Sequence, residues 1–277
     1  MDVLDMIETR RYSIHSSLAP EYRETVLNAQ QQLRERGAAE LPGFLTPSAV
    51  QLFTEDATYV SNRAYRSEGM GTPYLETPDD GQWPASHPRR LQSRSRVSAV
   101  GYDLIPLTSP LRLLYEDEDV RRFLEAILDV PVLFRYADPF GALNLSVMDE
   151  DDELGWHFDQ TDFVVSLAIQ SAEQGGDFEV VPNIRSARDE RYDDVQRLLN
   201  GDEIEVVTLP MVPGTLLIFR GRHSIHRVTP VSGHTPRLVG LLGFDTSEGT
   251  MSSRELRIDR YGRSDAFGEP PIEWPSP

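Results

Sequence analysis

Between residues 132 and 245 the chain reads as a succession of short strands. Apolar, β-branched and aromatic residues gather in brief runs, and Gly, Pro, Asn or Asp punctuates them. The runs predict strands near residues 132–137, 141–148, 155–159, 163–170, 177–181, 204–209, 215–219, 225–229 and 236–245. Phe163 to Ile169 is almost wholly apolar and is therefore expected at the centre of a sheet. Helical patterns lie mostly upstream. The expected class is α+β, a double-stranded barrel buttressed by N-terminal helices, in which inward-facing positions can build a site.

The upstream half carries clear punctuation. Pro20 to Gly37 reads as a helix, with Pro20 in its first turn and Gly37 as its stop. Ala39 to Leu45 reads as a short strand and turn. Thr46 then caps a second helix, with Pro47 at its first position, running to about Arg63. Val97 to Ile105 reads as a strand. Ser109-Pro110 opens a helix to about Asp129, with Leu111, Leu114, Phe123, Leu124, Ile127 and Leu128 on its apolar face. Residues 1–18 read as irregular, and residues 186–200 as a helix inserted among the strands.

Residues 64–96 change character: Gly and Pro cluster and the apolar periodicity fades. A loop this long inside a compact domain is usually functional or disordered, so a lid over the site is expected here. It holds Tyr74, Trp83, His87 and the basic residues Arg89, Arg90, Arg94 and Arg96. Those arginines either pair with carboxylates of an acidic protein or recognise a substrate carboxylate or phosphate. Asp149 to Glu153 reads as a solvated acidic turn. The expected organisation is a single catalytic domain over residues 1–277: helical support and lid in 1–130, barrel in 131–260, and a loose Pro-rich tail in 261–277.

Composition narrows the function. The chain has 277 residues, no Cys, a formal net charge of −18 and a sequence pI near 4.7. Without Cys there are no disulfides, thiolate metal sites or Cys nucleophiles. The negative charge repels nucleic acid. No apolar run approaches the ~18 residues of a membrane span. The first residues are acidic and lack a signal-peptide core, so a cytoplasmic setting is expected. Oligomeric state is not legible.

The chemistry gathers at Gly155-Trp156-His157-Phe158-Asp159-Gln160. On a strand, side chains two apart share a face, so His157 and Asp159 point together while Trp156 and Phe158 pack behind. One strand cannot surround a metal, and a third ligand must come from elsewhere. His226 follows the strand-like run Leu216 to Phe219 and is the expected partner. His223 is the alternative, three residues earlier and on the opposite strand face; it would otherwise hydrogen-bond a ligand. Two His and one carboxylate form the facial triad of non-haem Fe(II) oxygenases. Downstream, Arg237 alternates with Val239 and Leu241 on one strand face. An Arg on an apolar face is costly unless an anion meets it, and a carboxylate fits its fork.

His157-x-Asp159, His226 and Arg237 together resemble the Fe(II)/2-oxoglutarate-dependent dioxygenases, whose fold is the double-stranded β-helix (jelly roll). The resemblance implies Fe(II) on His157, Asp159 and His226, 2-oxoglutarate as cosubstrate with Arg237 on its distal carboxylate, and O₂ as oxidant. It also implies a polar contact from Asn144 to the cosubstrate. The stretch from Tyr136 to Asp245 resembles a bacterial branch of halogenases and hydroxylases of free amino acids. In its halogenases a small residue replaces the carboxylate and leaves room for chloride. Asp159 fills that place, so hydroxylation of a small polar metabolite, with release of succinate and CO₂, is the expected activity. The competing readings are a cupin-like metal protein without redox chemistry, such as an isomerase or sensor, and a desaturase or cyclase on the same iron.

Overall fold

The computed structural model describes residues 2–75 and 81–266. The N-terminal part is α1 (Val3–Met6), α2 (Pro20–Arg36), β1 (Ala38–Leu41) and α3 (Pro47–Ser61), then β2 (Tyr65–Gly71) and β3 (Ser93–Val100). α4 (Pro110–Glu116) and α5 (Glu118–Leu128) follow. Next come β4 (Phe134–Arg135), β5 (Leu143–Met148), β6 (Glu153–His157), β7 (Val164–Gln170), β8 (Gln174–Gly175) and β9 (Phe178–Val181). The chain continues through α6 (Tyr192–Leu199), β10 (Val207–Leu209), β11 (Leu216–Phe219), β12 (Ile225–Val228) and β13 (Val231–Ser232). It then forms β14 (Arg237–Leu242), β15 (Phe244–Asp245) and α7 (Arg254–Tyr261).

Eleven strands form one antiparallel sheet in the order β1-β11-β7-β14-β5-β3-β6-β12-β9-β10, with β2 on the outside of β3. Neighbours in this order are distant in sequence, as in a jelly roll. Alternation along the strands makes two faces. Leu143, Leu145 and Val147 of β5 join Val165, Leu167 and Ile169 of β7, and Leu216 and Ile218 of β11, in the main core under the helices. The intervening residues, including Asn144, Ser146, Ser166, Leu217 and Phe219, line an internal cavity. This is the expected helix-buttressed double-stranded β-helix.

The helices begin and end on the expected residues. Thr46 accepts a hydrogen bond from the Ala49 amide at 3.2 Å, and Pro47 is the first residue of α3. Gly37 closes α2 at φ 66°, a backbone state that L side chains resist. Phe123 anchors the layer: it is fully buried, 5.4 Å from the Tyr22 ring and 6.5 Å from Phe44. Phe123→Ala is expected to lower unfolding free energy by ~3–5 kcal/mol, read from the urea midpoint of the folded protein.

Several expectations need correction. Residues 64–96 are not one long loop, because β2 and β3 pair from Tyr65↔Ala99 to Gly71↔Ser93. The connecting segment is confined to residues 72–92, of which 76–80, including Pro78, lie outside the described residues. The strand expected at 97–105 starts earlier, at Ser93, and ends at Val100. The helix expected from Pro110 to Asp129 breaks at Asp117, whose carboxylate accepts from the Val120 amide at 2.9 Å and starts α5 anew. Residues 1–18 contain α1, and Met6, Ile7, Tyr12 and Ile14 are buried in the core. The loose tail does not start at 261, because Tyr261 is the last residue of α7; residues 267–277 lie outside the described residues.

The acidic turn is also not simply solvated. Asp152 is fully buried and accepts from Arg66 at 2.5 Å and Arg96 at 2.6 Å. Its other oxygen accepts from the Asp149 amide at 2.9 Å. Two cations and an amide supply the partners that a buried carboxylate requires. This clamp ties the β2–β3 hairpin to the β5–β6 turn.

Candidate metal centre

β6 and β12 run antiparallel, with His157 directly opposite His226. Directly opposed side chains on one face are the closest pairs a sheet offers, and the two imidazole centroids are 4.2 Å apart. β6 ends at His157, so Asp159 lies just past the strand rather than within it. The Asp159 amide donates to the Gly221 carbonyl at 3.1 Å, and the Phe158 amide to the Pro73 carbonyl at 2.7 Å. Trp156 and Phe158 are buried behind, as alternation required. One ligand atom from each of His157, Asp159 and His226 lies within 4.8 Å of the others.

Both imidazoles are oriented by their own strands. His157 Nδ1 lies 2.8 Å from the Gly155 carbonyl, and His226 Nδ1 lies 2.9 Å from the Ser224 carbonyl. A carbonyl can only accept, so each Nδ1 carries the proton and each Nε2 presents a lone pair. Burial, then the neighbouring His226, pushes the His157 pKa down to about 4, against the pull of Asp159. The ring is neutral at neutral pH, the form that binds metal.

The decisive contact is between Asp159 and His226. Asp159 Oδ2 is buried without a hydrogen-bond donor, and it faces His226 Nε2 at 3.3 Å. Two lone-pair atoms turned on each other repel, and a cation between them removes the conflict. Two imidazole nitrogens and one carboxylate suit Fe(II) with open coordination positions.

Gly221 makes room for that carboxylate. A Cβ built there would sit 2.0 Å from Asp159 Oδ2 and 2.8 Å from Cγ. Gly221→Ala is therefore expected to displace Asp159 and weaken Fe(II) binding by ~10–100-fold, the cost of disturbing a ligand's support. Equilibrium dialysis checks the loss of metal, and an unchanged circular dichroism spectrum shows the fold intact.

The three candidate ligand residues open onto a cavity of about 560 Å³. Arg237, Val239 and Leu241 all line it, as their alternation predicted. Arg237 is 6% exposed, and its one polar contact among the described residues is Met148 Sδ at 3.8 Å. Desolvation pushes its pKa down to about 10, so it stays cationic at neutral pH. A buried guanidinium without a carboxylate is a receptor for an anion. Asn144 pairs in register with Leu241 and lines the same cavity, its Oδ1 buried without a partner.

His223 does not join the triad. It lies in the turn before β12, with Nδ1 buried and unpartnered. The four lid arginines are committed elsewhere. Arg89 donates to the Tyr192 hydroxyl at 2.9 Å and lies 4.6 Å from the Tyr74 ring centre. Arg90 donates to the Trp83 carbonyl at 2.8 Å. Arg94 pairs with Glu68 and Glu153, and Arg96 with Asp152. The cavity instead recruits Tyr136, Arg222 and Arg260, none of which the motifs singled out. Ser253 and Gly262 flank the helix that carries Arg260: Ser253 accepts from the Leu256 amide at 3.1 Å, and Gly262 ends the helix at φ 70°. Those two residues were the signal for α7 in the sequence.

Residues 84–256 match the sequence family described as HalD: Halogenase D. No curated protein sequence matches the chain significantly. Crystal structures of similar fold include an oxidoreductase of the 2OG-Fe(II) oxygenase family from Burkholderia pseudomallei, 17% identical, covering 81% of this chain and 92% of that one, TM-score 0.51. Another is the prolyl hydroxylase from Trichoplax adhaerens in complex with a peptide of hypoxia-inducible factor, 12% identical, with coverage of 81% and 91%, TM-score 0.51. A third is the non-haem α-ketoglutarate-dependent carbocyclase SnoK of nogalamycin biosynthesis, 15% identical, with coverage of 88% and 95%, TM-score 0.57. At these identities the likeness establishes the fold.

Proposed function

We propose that this chain, which belongs to the halogenase D family, is an Fe(II)- and 2-oxoglutarate-dependent oxygenase. It hydroxylates an unactivated C–H bond of a small polar metabolite, a free amino acid or a derivative, and releases succinate and CO₂. The observation that carries this reading is the donorless Asp159 Oδ2 facing His226 Nε2 at 3.3 Å. When bound, iron with 2-oxoglutarate and O₂ supplies the C–H oxidation, and the protein supplies position and a dry site.

Within that reading, His157, Asp159 and His226 hold the iron. Arg237 takes the far carboxylate of 2-oxoglutarate, and Asn144 meets the same cosubstrate. The buried, unpaired Arg237 favours this over a non-redox metal protein, which has no use for an inward cation. Phe178, Leu217 and Phe219 line the cavity and exclude water. The carboxylate of Asp159 supports hydroxylation over halogenation despite the family's name, because it fills the position that chloride would need. The partner is a small molecule, since the cavity is about 560 Å³ and the chain's net charge of −18 repels nucleic acid.

Succinate formation tests the proposal. Anaerobically Fe(II)-loaded protein is given 2-oxoglutarate, air and pooled small metabolites, and the products are resolved by mass. Substrate-dependent succinate with a product heavier by one oxygen atom is expected. A product lighter by two hydrogen atoms would replace hydroxylation by desaturation or ring closure.

A further inference from the structure

We propose that Arg260 binds a carboxylate of the substrate, and that this contact selects small acids carrying one carboxylate, zwitterions included. The inference deepens the oxygenase reading above and rests on it. It begins from where α7 lies. Leu256 and Arg260 are one helical turn apart and share a face, and both line the cavity that holds His157, Asp159 and His226.

Among the described residues Arg260 makes no hydrogen bond and no ion pair. Arg10, Arg23, Arg34, Arg36, Arg188, Arg220 and Arg254 also lack a side-chain partner among the described residues, but all of them are exposed, whereas Arg260 is half-buried in the cavity wall. Acidic residues outnumber basic ones 45 to 27, and Arg257, on the same helix, reaches Asp138 at 3.3 Å. The helix itself offers Arg260 no partner. Leu256 precedes it by one turn and Arg257 by three residues, and adjacent Asp259 does not face it. A solvated surface Arg is the alternative, but Arg260 is only partly exposed and belongs to the cavity wall.

The other ionic groups of the cavity already have partners or proposed roles. Its ionic lining, besides the imidazoles, is Arg222, Arg237 and Arg260 against Asp159, Asp162 and Asp245. Arg222 pairs with Asp162 at 2.5 Å. Asp245 accepts from the Thr246 amide at 2.7 Å and the Thr250 hydroxyl at 2.6 Å. Asp159 serves the metal. Arg237 belongs to a different wall, packed near Gly176 and Met148. Arg260 is left as a cation of this cavity with no side-chain partner among the described residues and no other role assigned to it. Three guanidiniums against three carboxylates leave this lining without net charge, so the free Arg260 guanidinium takes one carboxylate, and a second anionic group on the same ligand would face carboxylates and not a cation. A carboxylate meets the guanidinium fork in two parallel hydrogen bonds. An acid held there shares the cavity with His157, Asp159 and His226, so the chain position that reaches them is set by its distance from the carboxylate.

The test is a binding measurement on the full chain loaded with Fe(II) and 2-oxoglutarate under anaerobic conditions. The probes are the protein α-amino acids, each beside its uncharged α-carboxamide, with inorganic phosphate as a separate arm. Binding is read by calorimetry and by the change each probe makes in the visible absorption of the loaded site. Wild-type protein is expected to bind at least one acid tenfold or more tighter than its amide, and to ignore phosphate. Arg260→Gln is expected to weaken that acid tenfold or more and bring acid and amide within twofold, with 2-oxoglutarate affinity unchanged within twofold. Arg254→Gln, on the first residue of the same helix, controls for disturbance of α7 and is expected to keep the preference. An acid preference that survives in Arg260→Gln overturns the proposal. So does a wild type that binds no acid in preference to its amide, or a preference for phosphate. Loss of 2-oxoglutarate binding in Arg260→Gln would reassign the residue to the cosubstrate and equally overturn it. Failure of wild-type protein to bind Fe(II) and 2-oxoglutarate would instead strike the oxygenase reading itself.

Discussion

Asp159→Ala is expected to abolish substrate-dependent succinate formation and to reduce Fe(II) affinity by more than the ~100-fold that loss of a supporting partner costs. In the proposed triad the carboxylate is the only anion, and it alone would offset the metal's charge. Its removal leaves two imidazoles, 4.2 Å apart between ring centres. The fold should tolerate the change. Asp159 sits beyond the end of β6, and the position is held by backbone hydrogen bonds from its own amide and that of Phe158. Single-turnover succinate yield and Fe(II) dialysis measure the two losses. Succinate formation at the wild-type level in the Ala variant would show that the carboxylate is dispensable.

Arg237→Gln has the second large effect, and it falls on the cosubstrate. The guanidinium is 6% exposed with only a sulfur within polar reach. Removing a charge from a buried, hydrogen-bonded ion pair costs ~2–5 kcal/mol, or roughly 30- to several-thousand-fold in affinity. The expected kinetic pattern is a steep rise in the KM for 2-oxoglutarate with a smaller change in kcat. The protein should gain or keep stability without cosubstrate, because an uncompensated buried charge has gone. A variant with unchanged KM would place the cosubstrate carboxylate elsewhere.

What the sequence made legible followed the alternation of inward and outward side chains. β5, β7, β11 and β14 each present polar or cavity residues at every second position and core residues between. Arg237, Val239 and Leu241 came out on one face for that reason. His226 lies on β12, whereas His223 lies in the turn before it, so the strand parity used to set them apart in the sequence does not apply to His223. His157 and His226 come together because β6 and β12 meet in register there, and sequence alone could not show that the two strands are neighbours.

Other parts were hidden for physical reasons. β2 has the sequence Tyr65-Arg66-Ser67-Glu68-Gly69-Met70-Gly71 and is largely exposed on both faces, so no apolar pattern marks it. Its pairing with β3 is fixed by the Arg66 and Arg96 contacts to Asp152, which join residues far apart in the chain. Such a buried ion cluster reads in sequence as scattered surface charge. α1 is four residues long, too short for a helical period. α7 is polar on average and buries only Tyr261, its own last residue, so no apolar stripe marks it in the sequence.

The central claim is that His157, Asp159 and His226, and not His223, hold iron for 2-oxoglutarate. It is tested most directly by titrating Fe(II) and then 2-oxoglutarate into the protein without oxygen and following the visible charge-transfer absorption. The band is expected in wild type and in His223→Ala, and is expected to be lost in His226→Ala. Absence of the band in wild type, or its loss with His223→Ala while His226→Ala keeps it, would contradict the account.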